Sequence, residues 1–349
     1  MSQQISVMVH TPAHSGLGGS LTYESDVQLQ PGTLVRVPLG SRELLGVVWD
    51  TSVDSHQTAA SLQLRAIASV LEGVPPLSAH WRKLVQFAAS YYQRSAGEVA
   101  LAALPSQLRD LSPEQWARRL KRKPKAVAAY EGDTQAIPTP TDEQAQVLAD
   151  IATHKGPFLL FGNTGSGKTE VYLRAAQSLL EQDPQAQILV MVPEINLTPQ
   201  LEERFRARFA PKWGADCLVA MHSSLTPAQR LKNWLAAHHG EARIVLGTRM
   251  AVFASMPHLQ LIVVDEEHDP SYKQQEGARY SARDLAVYRG QLEGAKVILG
   301  SATPSLESWH HSRPATATEP AGRYLRLAMP TRVGQGALPL VRRVDMNRQ

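Results

Sequence analysis

The sequence is nearly without cysteine: one, Cys217, stands among 349 residues. That excludes an internal disulfide framework and any metal site built from cysteines alone, and it suits a reducing compartment. Aromatic residues are sparse at 6%, and no apolar run approaches the roughly 18 to 20 residues that a membrane helix needs. Met1-Ser2-Gln3-Gln4 opens no basic-then-apolar leader. A soluble, cytoplasmic protein with no membrane partner is therefore expected. Gly and Pro, 23 of each, are in no gross excess, and 43% hydrophobic residues can supply a core, which excludes collagen-like and disordered chains. At roughly 100 to 200 residues per domain, two domains are expected.

The net charge of +4 is small, but it is concentrated. Between Ser106 and Lys125 seven basic residues stand against two acids, a net of +5, which leaves −1 for the remainder of the chain. Such a stretch, with Lys121, Arg122 and Lys123 near its end, either holds nucleic-acid phosphates by counterion release or is a solvated linker.

Three regimes follow one another. Ile5 to Val9, Leu34 to Pro38 and Leu44 to Trp49 read as strands punctuated by glycine and proline turns, a small β-rich unit. Trp81, Leu84, Val85, Ala88, Tyr91 and Tyr92 then recur at helical spacing and predict one buried face. From 106 to 140 the chain is polar and basic, ending in Ile137-Pro138-Thr139-Pro140, which cannot continue a helix and reads as a linker. Within it, Ser112-Pro113-Glu114-Gln115 has the form of a capped helix start. Beyond Thr141, short apolar strands alternate with helical segments: Phe158 to Phe161, Gln187 to Val192, Cys217 to Ala220, Arg243 to Leu246, Leu259 to Val264 and Ala295 to Leu299. That pattern predicts an α/β domain with a parallel sheet covered by helices on both faces.

Two motifs carry chemistry. Gly162-Asn163-Thr164-Gly165-Ser166-Gly167-Lys168-Thr169 is a complete G-x-x-x-x-G-K-[ST], preceded by a strand and followed by a helix. Its glycines let backbone N–H groups converge on the phosphates of ATP, Lys168 neutralises β and γ oxygens, and Thr169 offers a hydroxyl to Mg²⁺. A metal-holding carboxylate is then needed, and Leu261-Ile262-Val263-Val264 runs directly into Asp265-Glu266-Glu267-His268, at the strand end where α/β sheets bind ligands. Asp265 is the expected Mg²⁺ holder and Glu266 the group that polarises the attacking water. The alternative for the second motif is an acidic turn.

Together with Gly300-Ser301-Ala302-Thr303, these residues resemble motifs I, II and III of superfamily 2 helicases. Val192-Pro193-Glu194-Ile195, Leu197-Thr198-Pro199-Gln200, the run Asp265 to Arg289 and Gly300 to Ser308 narrow the resemblance to the replication-restart helicases, the primosomal protein N′ family, over nearly the whole chain. The resemblance implies an ATP-dependent DNA helicase: a RecA-like P-loop lobe over 141–310 preceded by a DNA-binding domain over 1–105, with 106–140 a basic linker or reduced winged-helix remnant. Residues 311–349 would begin the connection to a zinc-binding region and a second lobe.

It also implies roles. Gln144 reads adenine. Glu267, His268, Ser301, Ala302 and Thr303 relay nucleotide state. Tyr272, Lys273, Gln274, Gln275, Tyr280 and Arg283 form an aromatic-rich loop that contacts single-stranded DNA, consistent with base stacking on tyrosine rings. ATP and Mg²⁺ are the implied cofactors, with zinc expected for the family although its cysteines are absent from this chain. Implied partners are forked and single-stranded DNA, primosome proteins and the single-stranded-DNA-binding protein. Implied functions are binding of stalled forks, 3′ to 5′ unwinding and primosome assembly.

The sequence departs from the family in three places. It ends at Gln349 ahead of the zinc-binding insertion, the second lobe with its arginine finger and the C-terminal domain, so turnover and unwinding by this chain alone are expected to fail largely. About 35 residues separate the first domain from Thr141, too few for a whole winged-helix module. Leu21-Thr22-Tyr23 stands where the family has a Phe-Asp-Tyr turn that captures a DNA 3′ end, and Asn196 stands where glycine is expected. A fork-DNA-binding module that loads primosome proteins without unwinding is the competing reading, and a P-loop ATPase unrelated to DNA is a third.

Overall fold

The first sheet is built by alternation. In a strand, successive side chains point to opposite faces, so Ile5, Val7, Val9, Val35, Val37 and Val48 gather on one side with Tyr23, while Met8, Leu34, Leu45 and Val47 turn to the other. The computed structural model, which describes residues 2–11, 20–51, 64–120 and 137–333, places these in five strands. They are β1 (Gln3–Val9), β2 (Ser20–Ser25), β3 (Leu34–Leu39), β4 (Arg42–Asp50) and β5 (Ser69–Val70), in the antiparallel order β2-β1-β4-β3-β5. Leu21, Thr22 and Tyr23 lie within β2, paired to β1, and Tyr23 donates its hydroxyl to the Pro38 carbonyl. These three residues therefore form strand.

Serine caps begin the next helices. Ser78 accepts the Trp81 N–H at the start of α1 (Ala79–Tyr91), and Ser95 accepts the Glu98 N–H at the start of α2 (Ala96–Ala103). Trp81, Leu84, Val85 and Ala88 are buried as their spacing predicts, but Tyr91, the last helical residue, is 68% exposed, beyond the reach of the core. Within the stretch expected as a linker, 106–120 form α3 (Ser106–Asp110) and α4 (Pro113–Leu120). Ser112 and Gln115 exchange the reciprocal capping bonds that their spacing predicts for α4. Arg36, buried on β3, donates to the carbonyls of Leu108, Arg109 and Leu111, which would otherwise be orphaned at the end of α3. Lys121, Arg122 and Lys123 lie outside the described residues.

The second sheet has seven parallel strands: β6 (Phe158–Gly162), β7 (Gln187–Met191), β8 (Leu218–Met221), β9 (Ile244–Gly247), β10 (Leu259–Val264), β11 (Lys296–Ser301) and β12 (Leu325–Met329). Their order is β12-β6-β11-β10-β7-β9-β8. Both faces are buried, hence the near-continuous apolar strands. Ile188, Val190, Leu261, Val263 and Ile298 face α5 (Asp142–Thr153), α6 (Lys168–Gln182) and α7 (Pro199–Trp213). Leu189, Met191, Ile262, Val264, Val297 and Leu299 face α8 (Pro227–His238) and α9 (Ala282–Glu293). The short α10 (Leu306–His311) follows β11.

The second of these cores does not stop at the lobe. It runs without a break into α1 to α3 and the lower face of the first sheet. Trp81 Nε1 donates to the Phe253 carbonyl at 2.8 Å, His238 Nε2 lies 2.8 Å from the Pro75 carbonyl, and the Phe87 and Tyr288 rings stack at 3.8 Å.

Candidate functional site

β6 delivers the phosphate loop to the carboxyl edge of the sheet. Gly165 and Gly167 take φ values of +82° and +84°, a left-handed backbone that glycine adopts without strain. The reversal they make starts α6 at Lys168, so the loop N–H groups gather at a helix N-terminus, where anions bind. Lys168 is buried, its Nζ donates to the Gly162 carbonyl at 2.8 Å, and among the described residues no carboxylate lies within ion-pairing distance. Ser166 Oγ is buried without a hydrogen-bond partner among the described residues. An ammonium with no carboxylate in direct contact among the described residues, an orphaned hydroxyl and a helix N-terminus together fit a polyphosphate.

The acidic motif lies two strands away, at the end of β10. Asp265 N–H donates to the Met191 carbonyl, the Tyr172 hydroxyl donates to Asp265 Oδ1 at 2.9 Å, and the Tyr272 hydroxyl donates to the Asp265 carbonyl at 2.6 Å. Burial pushes the Asp265 carboxyl above its usual range, while the Tyr172 hydrogen bond and nearby Lys168 act in the opposite direction. Among the described residues, Oδ2 accepts no hydrogen bond. Carboxylate and hydroxyl oxygens from Asp265 and Thr169 are the hard donor set that Mg²⁺ prefers. Glu266 follows at φ +45°, in the left-handed region that a non-glycine residue seldom enters.

Glu267 and His268 divide the relay. Glu267 is buried and accepts from Ser305 N at 2.7 Å, Ser305 Oγ at 3.0 Å and Ser308 Oγ at 2.9 Å, fastening α10 to the acidic turn. His268 Nδ1 lies 2.7 Å from Ser301 Oγ and Nε2 lies 3.4 Å from Thr303 Oγ1, while Ser301 Oγ also accepts the Thr303 N–H. Glu267 N–H bonds the Gly300 carbonyl. The structure thus brings Lys168, Thr169, Asp265, Glu266, Glu267, His268 and Ser301 to Thr303 to one edge of the sheet.

The expectation for the aromatic-rich loop changes. Tyr272 and Tyr280 are only 2% and 5% exposed, their hydroxyls spent on Asp265 and Met250, so neither ring is presented for base stacking. Arg283 is held by Glu267, Ser305 and Asp284 inside the lobe. Lys273 and Gln275 are exposed and Gln274 is half-buried, with Lys273 Nζ 5.2 Å from the Tyr92 ring. Gln144 closes a capping box with Thr141, and its Nε2 lies 3.4 Å from the Ser166 carbonyl, so its amide supports α5 and the loop.

Sequence reading missed a second anchor. Val333 N–H donates to the Gly165 carbonyl, Asn163 Nδ2 donates to the Pro330 carbonyl at 2.5 Å, and the Thr331 hydroxyl donates to Glu143 at 2.6 Å. The chain leaving β12 is thereby tied to the phosphate loop. The short alternating run Leu325-Arg326-Leu327-Ala328-Met329 was its signal.

Comparison with known proteins agrees with this geometry. The DEAD/DEAH box helicase family matches residues 141–311, and the 3′DNA-binding domain (3′BD) family matches residues 6–105. The replication restart protein PriA of Haemophilus influenzae is 32% identical over 88% of this chain and 50% of its own length. The PriA proteins of Bacillus subtilis and Synechocystis are 40% and 46% identical over 62% and 60% of this chain, and 26% and 24% of their own. The chain thus spans half or less of these relatives. A 3′DNA-binding domain joined to a helicase lobe, matched by PriA proteins across most of the chain, makes this protein a member of the replication restart PriA family.

Proposed function

We propose that this chain binds ATP with Mg²⁺ and binds branched DNA, as the portion of a replication-restart helicase that joins DNA recognition to the nucleotide site. The observation that carries the nucleotide part is Lys168, a buried ammonium with no carboxylate partner among the described residues, at the phosphate loop. Gly162 to Thr169 cradle the phosphates, Lys168 neutralises β and γ oxygens, and Thr169 and Asp265 hold the metal. Bound Mg²⁺ would draw charge from the phosphates. Glu266 orients the attacking water. The relay through His268 and Ser301 to Thr303, together with Glu267 on α10, carries the loop's state toward the DNA-facing surface. Domain limits of 1–105 and 141–310 accompany this assignment.

For DNA, the reading rests on the family match over residues 6–105 and on the exposed Lys273 and Gln275. Stalled forks and single-stranded DNA are the proposed substrates, 3′ to 5′ unwinding and primosome assembly the proposed outcomes, and primosome proteins and the single-stranded-DNA-binding protein the proposed partners. The basic residues Lys121, Arg122 and Lys123 add phosphate contacts. Fluorescence anisotropy with a labelled fork tests this. Affinity should fall steeply with salt, and replacing the three basic residues by alanine should flatten that slope. Equal affinity for a fork and a blunt duplex of the same length would count against fork recognition.

A further inference from the structure

Tyr172 takes no part in the assigned machinery, yet its hydroxyl ends on the metal-holding residue. The side chain projects from α6, one turn after the phosphate loop, and is 2% exposed. Its only hydrogen bond among the described residues runs to Asp265 Oδ1 at 2.9 Å. Gly300, on β11, makes room for it: a Cβ there would fall onto the Tyr172 hydroxyl and lie 3.5 Å from Asp265 Oδ1. Gly300 also accepts the Glu267 N–H, so the glycine that accommodates the hydroxyl is bonded to the acidic turn. A buried hydroxyl that donates to one carboxylate oxygen fixes the carboxylate's rotation and leaves the other oxygen to face outward.

We propose that Tyr172 is a positioning residue: its hydroxyl, in the space kept by Gly300, orients Asp265 so that Oδ2 meets the magnesium of the bound nucleotide. This inference rests on the nucleotide reading above and adds to it. The hydroxyl links α6 and the phosphate loop directly to the acidic motif. Without it the carboxylate can rotate about its last bond, and the metal loses a prepared donor while the phosphate cradle and Lys168 stay in place. Outer partners of metal ligands are typically worth about 10- to 100-fold in metal affinity.

Binding of a fluorescent ATP analogue by the full chain, with Mg²⁺ and with a chelator, separates the possibilities. In Tyr172→Phe, which keeps the ring in its buried slot, affinity in chelator should stay within about twofold of the parent. The affinity gained on adding Mg²⁺ should fall about tenfold or more. Gly300→Ala should show the same selective loss, because its methyl displaces the hydroxyl, and far-ultraviolet circular dichroism verifies that both variants fold. A Tyr172→Phe protein whose magnesium-dependent gain equals that of the parent overturns the role of the tyrosine alone. A parent protein that binds no nucleotide under either condition overturns the nucleotide reading itself, and this inference with it.

Discussion

Glu267 is a carboxylate with no exposed side-chain surface, held by Ser305, Ser308 and Arg283. Removing it takes the buried acceptor from the Ser305 N–H and from the Ser305 and Ser308 hydroxyls, and uncovers the N-terminus of α10. Glu267→Ala should therefore destabilise the chain by about 3 kcal/mol, read from chemical unfolding. A loss below about 1 kcal/mol would show that the network contributes little. His238 gives a pH dependence of defined sign. Burial, the larger cause, and neighbouring His239 lower its pKa to about 4 despite its bond to Pro75. The unfolded chain binds the proton more readily, so the contribution is complete above about pH 6.5 and is lost as pH falls from 6.5 toward 4, about 3 kcal/mol in all. Replacing His238 by Gln should weaken that acid sensitivity in unfolding curves measured between pH 7 and pH 4.5. An unchanged slope would remove His238 as its source.

Elements whose cause is local were legible. The phosphate loop follows from glycine spacing between a strand and a helix, and the start of α4 from Ser112, Pro113 and Gln115. The lobe's strands follow from runs of valine, isoleucine and leucine, with ends displaced by a residue or two where a tight turn takes over, as at Ala215–Cys217 before β8. What was not legible depends on distant packing. Tyr272 and Tyr280 sit in a polar stretch that reads as surface, and only the folded chain shows the Asp265 carbonyl and Met250 waiting for their hydroxyls. Gln144 also belongs to a Thr-x-x-Gln capping box, a signal local to the start of α5. Because the box closes α5 against the loop, Gln144→Ala should lower stability by about 1 kcal/mol as well as weaken nucleotide binding. Unfolding curves indistinguishable from the parent would restrict Gln144 to ligand contact.

Across the whole molecule, the first sheet and the helicase lobe share one core through α1 to α3. Trp81 is its largest contribution, almost fully buried and bonded to the Phe253 carbonyl. Trp81→Ala should cost about 3 to 5 kcal/mol, and unfolding of the first sheet and of the lobe should remain a single transition in the parent. Two separated transitions would show that the units are joined only by the chain. Under the proposed function, a shared core would let DNA on the first unit and nucleotide on the lobe influence each other without a flexible joint.

That coupling is the central claim, and binding of a fluorescent ATP analogue with Mg²⁺ by residues 1–349, with and without forked DNA and with Lys168→Ala as control, tests it most directly. The account predicts binding that requires Lys168 and tightens when the fork is added. Binding that survives unchanged in Lys168→Ala, or that is the same with and without DNA, would contradict it.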